Sequence, residues 1–242
     1  MPPLTIVTGG GRGIGAATAR RLATDGHDVV ICYRRDHDSA AAVLADIHAT
    51  GRRGLALPVD TTDPDAVTDL FDAAADLGPI TGLVNNAGVT SPIGPLADLH
   101  VEDLRRVVDV NVVGYLLCAR QAARRLPTGG AIVNISSVAA ALGSPGEYVH
   151  YAAAKAAAET LTVGLAKELA PRGIRVNAVA PGIVRTEIHA VSGVPDRPER
   201  AAGRIPLGRP GEPDEVAAAV AWLLGPEASY TTGTILRVSG GL

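Results

Sequence analysis

Tyr151 and Lys155 stand four residues apart in an alanine-rich stretch that reads as a helix over residues 151–170. Residues i and i+4 share one helix face, so a phenol and an ammonium project together. A free phenol, with a pKa of about 10, is a poor proton donor or acceptor at neutral pH. A cation fixed beside it favours the phenolate and brings the group toward acid–base use. Among 22 Lys plus Arg, the only lysines are Lys155 and Lys167. Surface charge is thus carried by arginine, which singles out a lysine one turn from a tyrosine. An ammonium has a tunable pKa that a guanidinium lacks. Ser136 and Ser137 lie upstream, with thirteen residues between Ser137 and Tyr151.

Alternating short apolar runs and helical patterns must position these groups. The runs fall at 4–8, 29–33, 55–59, 83–86, 131–136, 175–180 and 235–238. Helical patterns fill 13–25, 38–50, 65–77, 101–126, 151–170 and 213–224. Continuous apolar strands separated by helices predict an α/β fold, a parallel sheet covered on both faces. The length of 242 residues, 47% of them hydrophobic, predicts one domain over 1–242. Residues 181–212, dense in Gly, Pro and Arg, read as an irregular functional loop.

Glycines crowd the turn after the first strand: Thr8, Gly9, Gly10, Gly11, Arg12, Gly13, Ile14, Gly15. Such a turn lets a phosphate approach the amides of a helix N-terminus. The second strand ends at Tyr33, Arg34 and Arg35, with no acid before Asp36. In dinucleotide folds an acid near this point binds the ribose diol. Arginines there, with Arg12 in the turn, suit a 2′-phosphate, so NADP(H) is preferred over NAD(H). Asp60 follows the third strand and suits either an adenine amine or a turn. Asn86, Ala87 and Gly88 end the fourth strand with small residues that admit a flat ligand. Asn111 falls inside the predicted helix 101–126, where its propensity is poor.

Charge and composition exclude several classes. A net charge of −3 with scattered arginines argues against nucleic acid or an anionic membrane as partner. Cys32 and Cys118, without CxxC spacing, read as reduced thiols of a cytoplasmic protein. The N-terminus lacks a signal-peptide pattern and no run is long enough to span a bilayer. The six histidines lack metal-ligand spacing, so no metal is expected.

Taken together and in order, these motifs resemble the short-chain dehydrogenase/reductase family from Leu4 to Leu242. They are Thr8-Gly9-x-x-x-Gly13-x-Gly15, Asn85-Asn86-Ala87-Gly88, Asn111, Ser137, Tyr151-x-x-x-Lys155, and Pro181-Gly182 followed by Thr186. The resemblance implies a Rossmann-type doubly wound domain with a seven-stranded parallel sheet and a substrate lid over about 183–212. It implies Tyr151 as acid–base, Ser137 as orienter of the substrate oxygen, and Lys155 as ligand of the nicotinamide ribose. Asn111 would hold a water in a proton relay. Pro181, Gly182, Ile183 and Thr186 would wrap the nicotinamide end. Tyr148, His150 and His189 are expected to face substrate.

The implied activity is carbonyl reduction, reversible as alcohol oxidation. Narrower alternatives are a 3-oxoacyl-(acyl-carrier-protein) or polyketide reductase and a sugar dehydrogenase. A non-catalytic NADP-binding sensor would lose one of Asn111, Ser137, Tyr151 or Lys155, and all four are present. Arg124, Arg125 and Arg172 resemble positions where relatives dock an acyl-carrier protein. Kinship further implies a homotetramer. The lid arginines suit either an anionic substrate or a solvated loop.

Overall fold

Seven runs of β-branched and aliphatic residues form strands, and all seven pair in parallel. They are β1 (Leu4–Thr8), β2 (Asp28–Tyr33), β3 (Gly54–Pro58), β4 (Ile80–Asn85), β5 (Ala131–Ile135), β6 (Arg175–Pro181) and β7 (Ile235–Val238). The computed structural model describes residues 1–242, apart from the side chain of Val191. Strand order is β3-β2-β1-β4-β5-β6-β7. The order reverses direction between β1 and β4, which opens a crevice at their carboxyl ends. The sheet is therefore Rossmann-type and doubly wound, as expected.

Successive side chains of a strand point to opposite faces, and the core follows that alternation. Ile6, Val30, Leu83 and Ile132 face one layer; Val7, Ile31, Val84 and Val133 face the other. Helices α1 (Gly13–Thr24), α2 (His37–Ala49) and α10 (Pro213–Leu224) cover the Val7 side. Helices α3 (Pro64–Ala75), α5 (Gly114–Arg125) and α7 (Val149–Leu169) cover the Ile6 side. Burying each such aliphatic side chain contributes about 1.5–3 kcal/mol, so strand register is fixed from both faces.

Local chemistry sets the helix starts. Asp36 accepts from the amide of Ser39 at 3.1 Å and begins α2; Asp63 accepts from Asp65 at 2.9 Å and begins α3, with Pro64 at its first position. Glu212 and Glu215 form a reciprocal box at the start of α10.

The predicted helix 101–126 divides in two. It comprises α4 (Val101–Val108), a π turn over Asp109–Val113, and α5. Asn111 sits in that π turn, wholly buried. A π turn widens the helix by one residue and commonly marks a functional site. The short helix α6 (Ala139–Leu142) precedes α7. The irregular segment 181–212 contains two short helices, α8 (Ile188–Val191) and α9 (Arg197–Ala201). Among the described residues no helix is long and apolar enough to cross a membrane.

Candidate active site

The carboxyl ends of β1 and β4 are stitched together by side chains. Thr8 Oγ1 accepts from the amides of Asn86 and Ala87 at 2.9 and 3.0 Å. Asn86 Nδ2 donates back to the carbonyls of Thr8 and Gly9 at 2.9 and 3.1 Å. Gly9 adopts φ +64°, a left-handed conformation, and a Cβ there would lie 2.9 Å from Ala87 Cα. A Cβ on Gly15 would meet the Gly9 carbonyl at 2.2 Å. Gly15 therefore serves the turn's packing, and it does not line the crevice as a cofactor contact. Replacing Gly15 with Ala should shift the turn and destabilise the fold by about 1–3 kcal/mol. A urea midpoint unchanged from the parent would contradict this.

Above these strand ends runs a cavity of about 850 Å³. One end is lined by Gly9, Gly11, Arg12, Gly13, Ile14, Tyr33, Arg34, Arg35 and Asp60. Asn86, Ala87 and Gly88 line its middle. Arg34 pairs with Asp60 at 2.9 Å, and Asp60 also accepts from the Thr62 amide at 3.0 Å. Burial pushes Asp60 up, but Thr62 and Arg34 more than offset it, leaving the carboxyl below its ordinary value. Asp60 thus starts a turn and holds Arg34. Tyr33 is tied through its hydroxyl to His37 Nδ1 at 2.8 Å. The cavity is long and shaped by glycines, and it has arginines at one end. Its residues fit a dinucleotide with a phosphate beyond the ordinary pair.

The other end holds Ser137, Tyr148, Tyr151 and Lys155, with Pro181, Gly182, Ile183, Thr186 and His189 as the facing wall. Tyr151 and Lys155 share a face of α7, as their spacing requires. Lys155 Nζ lies 5.7 Å from the centre of the Tyr151 ring. It donates to the Ile135 carbonyl at 2.8 Å and to the Tyr115 hydroxyl at 3.1 Å. The expected lowering of the Tyr151 pKa by its neighbour is not what the site shows. Burial raises Tyr151, the Tyr148 phenol adds to the rise, and a hydrogen bond with Ser137 opposes it. Burial also pushes Lys155 down to about 7. Both shifts have one cause: a site out of water disfavours either charged form.

Asn111 spends its side chain on the backbone. Its Oδ1 accepts from the Val89 amide at 3.2 Å, and its Nδ2 donates to the carbonyls of Val89 and Val107 at 2.8 and 2.9 Å. It thereby fixes the loop after β4 against the π turn.

Three of the expected substrate contacts divide. Tyr148 packs edge-on against Tyr151, with ring centres 5.4 Å apart. His189 lines the cavity and donates through Nε2 to the Val184 carbonyl at 2.9 Å. His150 is a correction. Helix α7 begins at Val149, so His150 turns away from Tyr151; its Nε2 meets Ser91 Oγ at 2.9 Å, buried beneath the loop after β4. The spacing of neighbours on a helix already separates them by about 100°.

Of the five lid arginines only Arg197 is withdrawn from solvent; Arg185, Arg200, Arg204 and Arg209 stay exposed. The Arg197 side chain is 12% exposed, pairs with Glu147 at 2.6 Å and covers the Tyr148 ring at 5.0 Å. Arg185 joins Glu199 and Glu212 on the outside. Arg172 caps the end of α5 through the carbonyls of Ala123 and Leu126, and Arg125 pairs with Asp72. Among the described residues no group of three or more potential ligands could hold a metal ion.

Two features escaped the sequence. Tyr115, a bulky residue in an alanine-rich helix, reads as ordinary core, yet its hydroxyl reaches Lys155. Asn85, Asn134 and Thr162 form a buried chain under the site: Asn85 Nδ2 donates to Asn134 Oδ1 at 3.0 Å, and Asn134 Nδ2 to Thr162 Oγ1 at 2.9 Å. The scarcity of Asn was the one available signal.

Comparison with known proteins agrees with this architecture. The family profile described as enoyl-(acyl carrier protein) reductase matches residues 9–242. The oxidoreductase YgfF of Escherichia coli is 45% identical over 98% of this chain and 99% of its own. The cis-4-hydroxycyclohexanecarboxylate dehydrogenase of Sinomonas cyclohexanicum is 44% identical over 98% of this chain and 95% of its own. A solved short-chain dehydrogenase of Burkholderia cenocepacia, in complex with NADP, superimposes with a TM-score of 0.93 at 41% identity, covering 99% of this chain and 97% of that one. The parallel sheet and glycine turn of this chain, its Ser137–Tyr151–Lys155 cluster and these likenesses together establish that it belongs to the short-chain dehydrogenase/reductase family of oxidoreductases.

Proposed function

We propose that the chain interconverts a carbonyl and a secondary alcohol by NADP(H)-dependent hydride transfer. One observation carries this reading. Ser137, Tyr151 and Lys155 line one end of the same cavity whose other end is lined by the glycine turn and by Arg12, Arg34 and Arg35. Bound along that cavity, NADP(H) would supply the hydride. The NADP complex of the Burkholderia relative and the hydroxy-acid activity named for the Sinomonas relative support the assignment.

The residues divide the work by their surroundings. Tyr151 keeps its proton across the neutral range because burial raises its pKa. Burial makes that phenol a weaker acid than a free one, yet an alkoxide forming on a substrate carbonyl is the stronger base and would take the proton from it. Ser137 holds the same oxygen with its hydroxyl. Lys155 lies beneath them, where it orients the ribose hydroxyls and steadies the phenol. Asn111 keeps the loop of Gly88 and Val89 in place beside Lys155. Pro181, Gly182, Ile183 and Thr186 close over the reacting end. Tyr148 and His189 shape the substrate side.

Arg12 and Arg35 carry the preference for a 2′-phosphate more than Arg34 does, since Asp60 already neutralises Arg34. Replacing Arg35 by Ala should lower kcat/KM for NADPH by about 10- to 100-fold, the worth of a charge-assisted contact. The value for NADH should change little. Equal losses with both coenzymes would refute the assignment.

Of the three arginines that resemble a carrier-docking patch, Arg172 and Arg125 are engaged within the protein and Arg124 is exposed. A panel of cyclic ketones, 4-oxocyclohexanecarboxylate, 3-oxoacyl thioesters, aldoses and an enoyl thioester, read by NADPH absorbance, tests the reading. Turnover of ketones is expected. Turnover of the enoyl thioester alone would overturn carbonyl chemistry.

A further inference from the structure

Lys155 is held by a phenol other than that of Tyr151. Its Nζ lies 3.1 Å from the hydroxyl of Tyr115 and 4.9 Å from the centre of that ring. Tyr115 is 2% exposed. Its hydroxyl donates its own proton to the Ile135 carbonyl at 2.9 Å, the same carbonyl that Lys155 reaches at 2.8 Å. With that proton committed, the hydroxyl offers Lys155 only a lone pair. Nζ, the phenol oxygen and the carbonyl form a closed triangle under the cavity floor.

The triangle is anchored from both sides. Tyr115 stands in the first turn of α5, directly after the π turn, and its own carbonyl accepts from Asn85 at 3.3 Å. The Asn85–Asn134–Thr162 chain then runs to α7, the helix that carries Lys155.

We propose that Tyr115 is a positioning residue for Lys155, its buried hydroxyl fixing the ammonium beneath Tyr151 and favouring the charged form of the lysine. This rests on the hydride-transfer reading, in which Lys155 acts at the ribose and at Tyr151. Charge on Lys155 matters near neutrality, because burial brings its pKa down to about 7.

The groups around it are accounted for. From α7 and the residue before it come Tyr151 and Tyr148, and from α5 come Tyr115 and Cys118; burial raises all four, so they stay protonated. From the end of β5 comes the Ile135 carbonyl, followed by Ser136, whose hydroxyl donates to Glu159 of α7 at 2.8 Å. The π turn and the loop after β4 face it with Asn111 and Gly88, which do not titrate. Dipoles of a phenol and a carbonyl therefore hold the ammonium, with no carboxylate bonded to it among the described residues.

The chain has only two lysines, which makes the test direct. Lysine labelled at Cε gives two signals in NMR, and Lys167→Arg assigns them. In Tyr115→Phe, which keeps the ring and removes the oxygen, the Lys155 midpoint should fall by about one pH unit, the worth of one hydrogen bond to a charge. The pH profile of kcat/KM should move in the same direction, with Lys155→Arg as the control that removes the titration. A Lys155 midpoint identical in both proteins would overturn the proposal.

Should the Phe variant fail to fold, the parent protein decides. With labelled tyrosine, the Tyr115 ring signal must move at the same midpoint as Lys155, and a signal that stays still refutes the contact. These readouts do not depend on turnover. An inactive protein whose Lys155 midpoint still shifts would reject the hydride reading and keep the contact.

Discussion

Replacing Tyr151 with Phe will lower carbonyl reduction by about 10²- to 10⁴-fold, the range set by loss of a positioned proton donor. The change keeps the ring that packs edge-on against Tyr148, so coenzyme affinity and the melting transition should stay close to the parent. Between about pH 6 and 8 the pH dependence of the remaining activity should match the parent's, because the lost phenol is protonated over that whole interval and the titration near neutrality belongs to Lys155. The sign follows from burial, which raises the phenol pKa and keeps its acid form populated below it. In the oxidative direction the same shift acts against the enzyme. Oxidation of the alcohol by the parent protein should climb with pH as the phenolate begins to form. Steady-state rates in both directions, with coenzyme titrated by fluorescence, measure all of this. Turnover within a few-fold of the parent would remove Tyr151 from the chemistry.

The second large effect falls on stability. Asn111→Ala deletes three hydrogen bonds of a wholly buried side chain: one from the Val89 amide and two to the carbonyls of Val89 and Val107. A buried polar group left unpaired costs about 1–3 kcal/mol. The Val107 carbonyl lies in α4, one turn before Asn111. A total near 3 kcal/mol is expected, with faster exchange of the Val89 amide proton as the local signature. Activity should fall as well, because the loop that Asn111 fixes forms the cavity wall beside Lys155. Chemical denaturation showing a loss below about 1 kcal/mol would mean that this asparagine is not a structural keystone.

The fold was legible because its strands are buried on both faces. Such strands read as unbroken apolar runs, and the glycine turn after β1 marks where the crevice opens. Tyr151 and Lys155 were legible for a similar reason: helical spacing is a local property, and it put them on one face. Non-local contacts were harder. Asn111 was visible as a misfit in a helix, but its partner Val89 lies in the loop after β4, more than twenty residues earlier.

His150 was misplaced because adjacency in sequence is not adjacency on a helix. Tyr115 could not be separated from core aromatics, since only the approach of β5 and α7 shows what its hydroxyl touches. The charge argument for Tyr151 had the right partner and the wrong balance. A cation one turn away counts for less than removal of both groups from water, and the depth of a cleft is not written in a four-residue spacing.

The threonine clasp between the first and fourth strands divides the molecule into two mechanical regimes. On one side lies a rigid seat, its geometry settled when the chain folds, so that little ordering remains to be done when a coenzyme arrives. On the other lies a mouth built from short helices and ion pairs such as Arg185 with Glu199 and Glu212, exposed and open to screening by salt. Retargeting the protein to new molecules is thereby best sought in residues 188–212 and the turn before α7, which leaves the clasp, the glycine turn and the wall from Pro181 to Thr186 unchanged.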